Sequence, residues 1–131
     1  MIVDSSALLA VALGEPDGAV YVDALDQAES PRIGAATLLE AGIVAARRMD
    51  PRVSRRLDAL VSTSRAVVVP FDEEQARVAR AAYRDFGKGS GHKAQLNFGD
   101  CLAYALASVT GEPLLYKGDD FAHTDIRSAL D

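Results

Sequence analysis

The chain reads as an α/β domain, a short parallel sheet covered by helices on both faces. Three observations predict this. IVD at the N-terminus, AVVV at 66–69 and PLLY at 113–116 are short, uniformly apolar runs, the pattern of strands buried on both sides. Longer segments rich in helix formers separate them. Gly, Pro and Asp fall between the two kinds of segment, where turns and caps belong.

Ile2-Val3-Asp4 is expected to be the first strand, with a helix opening at Ser5 or Ser6. Gly14-Glu15-Pro16-Asp17-Gly18 breaks that helix, and a second runs from about Ala19 to Ala28. Pro31 to Gly34 is a short strand. Ala36 to Arg48 holds strong helix formers and is ended by Asp50-Pro51. Arg52 to Ser62 is the next helix, and Ala66 to Val69 a β-branched strand stopped by Pro70. Asp72 caps a long helix reaching about Phe86. GKGSGHKAQLN is a polar, glycine-bearing loop. A very apolar helix follows and closes at Gly111. Pro113 to Tyr116 is the last strand, Gly118-Asp119-Asp120 a turn, and the tail is mostly irregular.

No linker, repeat or low-complexity tract interrupts the 131 residues, so residues 1–131 are expected to form one domain. A chain of this length buries about two thirds of its unfolded surface and needs no disulfides. Its single cysteine, Cys101, allows none within the chain and fits a reducing, cytoplasmic setting. The N-terminal segment lacks a basic leader and carries Asp4 in its apolar run, so neither a signal peptide nor a membrane anchor is expected. The net charge of −5 is unevenly spread. Residues 1–31 hold six acids and no Lys or Arg, whereas residues 32–131 hold 14 basic and 13 acidic residues. The acidic total therefore does not exclude a phosphate-bearing substrate.

Four acids sit where a solvated carboxylate is out of place. Asp100 is the only charged residue between Phe98 and Val109. Glu40 has Thr37, Ile43 and Val44 as its helical neighbours. Asp4 ends the first strand, and Asp119 follows the last one by a short turn. A buried carboxylate is expensive unless it is paired or holds a cation. In a doubly wound sheet, the carboxyl ends of the strands share one crevice. One divalent cation shared by the four acids would satisfy them together. Each also has a structural reading. Asp4 can cap the first helix, Glu40 can pair with Arg47 or Arg48, Asp100 can complement the helix dipole with Asn97 as cap, and Asp119 or Asp120 can shape a turn.

All-oxygen ligands suit Mg²⁺ or Mn²⁺. Zinc lacks ligands here, because His92 and His123 lie far apart and there is one Cys. Such carboxylate sites serve phosphoryl transfer, in which the metal activates water and neutralises the phosphate. Ser6 can hydrogen-bond a ligand carboxylate or a metal-bound water, or can be a plain helix-start serine. No Walker loop, dinucleotide fingerprint or nucleophile elbow occurs. Cys101 is expected to be buried and unreactive beside Asp100. Arg77, Arg80 and Arg84 recur at helical spacing and lead to Lys88, His92 and Lys93. That stretch is either a substrate-backbone track or a solvated helix face, as is the cluster from Arg47 to Arg56.

MIVDSSALLA, LLEAG, NFGDCLAYALA and KGDDF, in this order and spacing, resemble the PIN-domain nucleases, and more narrowly the VapC-type toxins of bacterial toxin–antitoxin pairs. The similarity runs along essentially the whole chain. It implies a three-layer α/β/α PIN-like domain with a short central parallel sheet. It also implies Mg²⁺- or Mn²⁺-dependent endoribonuclease activity, homodimerisation, and inhibition by a small cognate VapB-like antitoxin in a higher complex. By position, Asp4, Glu40 and Asp100 match the three invariant acids of the family, and Ser6 matches the hydroxyl after the first. The fourth acidic position falls on Asp119, with Asp120 beside it able to share or replace its role. The metal ligands implied are Asp4, Asp100 and Asp119, and Arg80, Arg84, Lys88 and Lys93 would lie along the RNA. Two other readings compete, a carboxylate–magnesium phosphatase and a non-catalytic RNA- or protein-binding module. The phosphatase would want an acid at position 6, where Ser6 stands.

Overall fold

The computed structural model describes residues 1–131. Four parallel strands form the sheet: β1 (Ile2–Val3), β2 (Arg32–Gly34), β3 (Val67–Val69) and β4 (Leu114–Leu115), in the order β3-β2-β1-β4. Six helices surround it: α1 (Ser5–Ala12), α2 (Gly18–Gln27), α3 (Ala35–Arg47), α4 (Pro51–Thr63), α5 (Glu73–Phe86) and α6 (Phe98–Thr110). A 3-10 turn over Asp120–His123 follows β4. The expected α/β/α layering is therefore present. No helix is long and apolar enough to cross a membrane.

The alternation along the strands divides the core. Val3, Ile33 and Leu115 point to one face and pack with Leu8, Leu25, Val53 and Leu57 of α1, α2 and α4. Ile2 and Leu114 point to the other, against Leu106 and Ala103 of α6, Ala82 of α5 and Phe121. Because β1 is central, both of its side chains are fully buried.

Local chemistry sets the helix ends. Asp50 accepts from the Arg52 amide and Pro51 opens α4, while Asp72 accepts from the Gln75 amide at the start of α5. Gly111 closes α6 at φ 69°, a left-handed cap that glycine adopts without strain. Most elements start or stop within one residue of the sequence expectation. β4 is shorter than expected, at two residues. The tail is less irregular than expected, since Leu114 also bridges Ser128 and the Leu114 amide donates to the Arg127 carbonyl at 2.9 Å.

One expectation needs correcting. The AVVV run suggests a strand buried on both faces, yet Val67 and Val68 are exposed. β3 is an edge strand, bonded only to β2 and incompletely covered by helices.

Leu106 is fully buried on the inner face of α6. Leu106→Ala is expected to lower the stability by about 2–5 kcal/mol, read as a lower urea midpoint with an unchanged slope.

Candidate active site

Two of the acids start helices at the carboxyl edge of the sheet. Asp4 leaves β1 and becomes the N-cap of α1. Its own amide donates to the Leu115 carbonyl at 2.9 Å, which ties it to β4. Asp4 Oδ2 accepts from the Ser6 amide at 3.0 Å and from Ser6 Oγ at 2.5 Å. The Lys117 amide, just past β4, donates to Ser6 Oγ at 2.9 Å and so fixes that hydroxyl. Lys117 is itself clasped by Glu15 and by Asp17, the latter at 2.9 Å. The other oxygen of Asp4, Oδ1, is buried and has no hydrogen-bond partner.

Asp100 lies in the first turn of α6. Its Oδ2 accepts from the Asn97 amide at 3.0 Å, and Asn97 Oδ1 accepts from the Asp100 amide at 2.8 Å, a reciprocal capping box. Glu40 lies in the middle of α3, and its Oε1 accepts from Ser5 Oγ at 2.9 Å. Glu40 forms no ion pair with Arg47 or Arg48, so that sequence alternative is not the one adopted.

These carboxylates share a field. Burial is the main cause that pushes the Asp4 carboxyl up to about 6, with the nearby Glu40 charge adding to it against the Ser6 hydrogen bonds. Burial likewise pushes Asp100 up to about 7, and the charges of Asp4, Asp120 and Glu40 add to the rise. Asp4, Glu40 and Asp120 are thus close enough for their charges to act on Asp100. Of the two turn acids, Asp120 is the one whose charge acts on Asp100, whereas the Asp119 charge acts on Tyr116. Cys101, pushed up to about 11 by burial and then by Asp100, is an inert thiol as expected.

As placed, no three His, Cys, Asp or Glu side chains form a ready chelate. Each of Asp4, Glu40 and Asp100 has one oxygen engaged by a protein donor. The residues nonetheless fit a hard divalent cation. The donor set is all oxygen, and the orphaned Asp4 Oδ1 is a buried anionic atom that a cation would satisfy.

Around the acids lies an apolar shelf. Leu39 and Ile43 of α3, Phe71, Phe98 and Tyr83 are all exposed. Arg80 and Lys88 line the groove between α5 and α6 together with Tyr83, Asn97 and Phe98. Arg84 instead turns to Asp85 at 3.0 Å, and Arg77 to Glu73 at 3.0 Å. Lys93 is exposed in the loop before α6. The sequence reading missed Ser5 as the partner of Glu40 and Lys117 as the brace of Ser6. The doubled serine after Asp4 was the available signal for the first. Nothing local signals the second, because Lys117 lies 111 residues from Ser6.

The PIN domain family model matches residues 1–127. The chain belongs to the PIN-domain family. It is 56% identical over 131 residues to ribonuclease VapC28 of Mycobacterium tuberculosis, covering 100% of this chain and 98% of the relative. It is 50% identical over 129 residues to ribonuclease VapC42 of the same species, covering 98% of each. Within the PIN domains it is therefore a VapC-type nuclease by sequence. Two solved PIN-like structures share the fold. VapC20 of M. tuberculosis, a sarcin–ricin-loop-cleaving toxin, superposes with a TM-score of 0.73 at 15% identity, covering 95% of each chain. A toxin–antitoxin complex from Klebsiella pneumoniae gives 0.69 at 16% identity, covering 95% of this chain and 92% of its match.

The raised carboxyls of this PIN domain set the sign of its pH dependence. Asp4 and Asp100 prefer to be protonated in the metal-free fold, so their contribution is full below about pH 4 and is lost as the pH rises through about 6 and then about 7. The metal-free protein is expected to melt higher at about pH 5 than at about pH 8, and Mn²⁺ should restore the loss at the higher pH. Asp100→Asn should flatten the profile and weaken the Mn²⁺ effect. A wild-type melting temperature insensitive to both pH and Mn²⁺ would contradict the shared acidic pocket.

Proposed function

We propose that this PIN domain is the toxin of a toxin–antitoxin pair and acts as a divalent-metal-dependent endoribonuclease. The observation that carries the reading is the orphaned, buried Asp4 Oδ1 amid Glu40, Asp100 and Asp120 in a chain of VapC ribonuclease sequence. Asp4, Asp100 and a turn acid would hold Mg²⁺ or Mn²⁺. Asp120 is favoured over Asp119 for the turn acid, because its charge bears on Asp100. When bound, the cation supplies charge neutralisation at the scissile phosphate and a lowered pKa for bound water.

The protein groups do the rest. Ser6 and the Lys117 amide lock the Asp4 rotamer through Oδ2, which leaves Oδ1 fixed and free to meet a cation. Glu40, anchored by Ser5, positions the attacking water and receives its proton. Water attacks the phosphorus, the P–O3′ bond breaks, and the departing 3′ oxygen takes a proton from solvent, which yields a 3′-hydroxyl and a 5′-phosphate. Arg80 and Lys88 meet the RNA backbone along the α5–α6 groove. Arg84 is secondary because Asp85 already engages it. A cognate VapB-like antitoxin and a second copy of the chain are the proposed protein partners. Family membership and the exposed apolar shelf of Leu39, Ile43, Phe71 and Phe98 support both. The phosphatase alternative has nothing in its favour at position 6, since Ser6 is fully engaged in holding Asp4.

Induced expression of the free protein is expected to arrest growth, and sequencing of RNA ends should show new 5′-phosphates. Asp4→Ala or Asp100→Ala should remove both effects, with a loss of about two orders of magnitude or more in cleavage rate. An Asp100→Ala protein that cleaves RNA normally would remove Asp100 from the chemistry. Neutralising Arg80 and Lys88 together should flatten the salt dependence of single-stranded RNA binding by about one to two units, since each phosphate contact contributes a slope near −0.7. Mg²⁺ affinity should be unchanged in that variant. A full salt slope would mean that the RNA runs elsewhere, along Arg47 to Arg56.

A further inference from the structure

Gly99 is buried at the second position of α6, immediately before Asp100. Its backbone is not in the left-handed region that favours glycine. Glycine also weakens a helix relative to alanine. Neither backbone conformation nor helix propensity therefore accounts for it. The space beside it does. A β-carbon at position 99 would overlap the Glu40 carboxylate, lying 2.5 Å from its Cδ and 2.8 Å from Oε1. On another side the same carboxylate is held by Ser5 Oγ, which donates to Oε1 at 2.9 Å.

We propose that Gly99 and Ser5 are positioning residues that together seat the Glu40 carboxylate beside Asp100. This inference rests on the ribonuclease reading above for the role of Glu40. The bare Cα of Gly99 is the floor of the seat and the Ser5 hydroxyl is its latch. Three elements meet there, since Ser5 opens α1, Glu40 comes from α3 and Gly99 from α6. Any side chain at position 99 pushes the carboxylate off the α6 N-terminus. Because the displaced group is the end of a flexible, half-buried side chain, the expected result is a misplaced Glu40 in a folded protein. Ser5→Ala opens the seat from the other side without adding an atom.

The test is a double-mutant cycle on the full chain: wild type, Gly99→Ala, Ser5→Ala, Glu40→Ala, and each of the first two combined with Glu40→Ala. The readouts are kcat and KM on one RNA oligonucleotide, the Mn²⁺ dissociation constant by calorimetry, and the melting temperature. Gly99→Ala is expected to melt at or above wild type, because alanine favours the helix. Its kcat should fall by about tenfold or more with KM within about twofold. Ser5→Ala should lower kcat in the same way, to a smaller extent. Neither change should add a further loss on the Glu40→Ala background, because the residue through which it acts is already gone. Wild-type kcat in Gly99→Ala overturns the proposal, as does an equal fold-loss with and without Glu40. If the wild-type protein cleaves no RNA, the ribonuclease reading fails and the cycle is read on Mn²⁺. Weaker Mn²⁺ binding on adding Gly99→Ala, seen only when Glu40 is present, then upholds the seat. Unchanged Mn²⁺ binding then overturns it.

Discussion

The proposed site depends on keeping one carboxylate, that of Asp4, buried where the central strand gives way to a helix. Asp4 is 2% exposed, and the fold supplies donors for only one of its oxygens. Leaving a buried anionic oxygen without a partner is unfavourable, and burial with the Glu40 charge pushes the Asp4 carboxyl up to about 6. A fold selected for stability alone would place an apolar residue or a fully bonded polar one there. A divalent cation reverses the balance, because burial that opposes a bare charge strengthens its attraction to a bound ion.

The structural roles of these acids leave room for the functional ones proposed. Asp4 caps α1 through Oδ2 and leaves Oδ1 buried without a partner. Asp100 closes a capping box on Asn97 and still senses Asp4, Glu40 and Asp120. Each meets an orphan backbone donor at its helix start, and the proposed site would use the oxygen that remains. The caps thereby give the carboxylates fixed rotamers, which is what pre-organised metal chemistry requires. Glu40 has no such backbone anchor in the middle of α3. Its carboxylate instead meets Ser5 of α1 and Gly99 of α6, the two residues proposed to seat it.

Much of this was legible along the chain. The uniform apolar runs and the caps located the elements, and the isolation of Asp100 in an apolar helix singled out a carboxylate that burial raises. What escaped the sequence shares one physical reason, that it is set by contacts between distant segments. The brace from Lys117 to Ser6, Glu15 and Asp17 joins the two ends of the chain. The choice between Asp119 and Asp120 depends on how a turn after β4 rotates its side chains, and adjacent residues in a turn have no periodicity to separate them. Arg84 sits in register with Arg77 and Arg80, but the register says nothing of Asp85 drawing its guanidinium away. Val67 and Val68 look like core by composition and lie exposed because β3 has a neighbour on one side only.

On the proposed function, Asp4 Oδ1 is left unpartnered so that it can meet a divalent cation. Crystals of the protein soaked in Mn²⁺ and measured at the manganese absorption edge test it directly. An anomalous peak is expected at ordinary coordination distance, about 2.0–2.2 Å, from Asp4 Oδ1, with Asp100 also facing the ion. Manganese bound only elsewhere, with Asp4 Oδ1 still unpartnered or bonded to a protein donor, would contradict it.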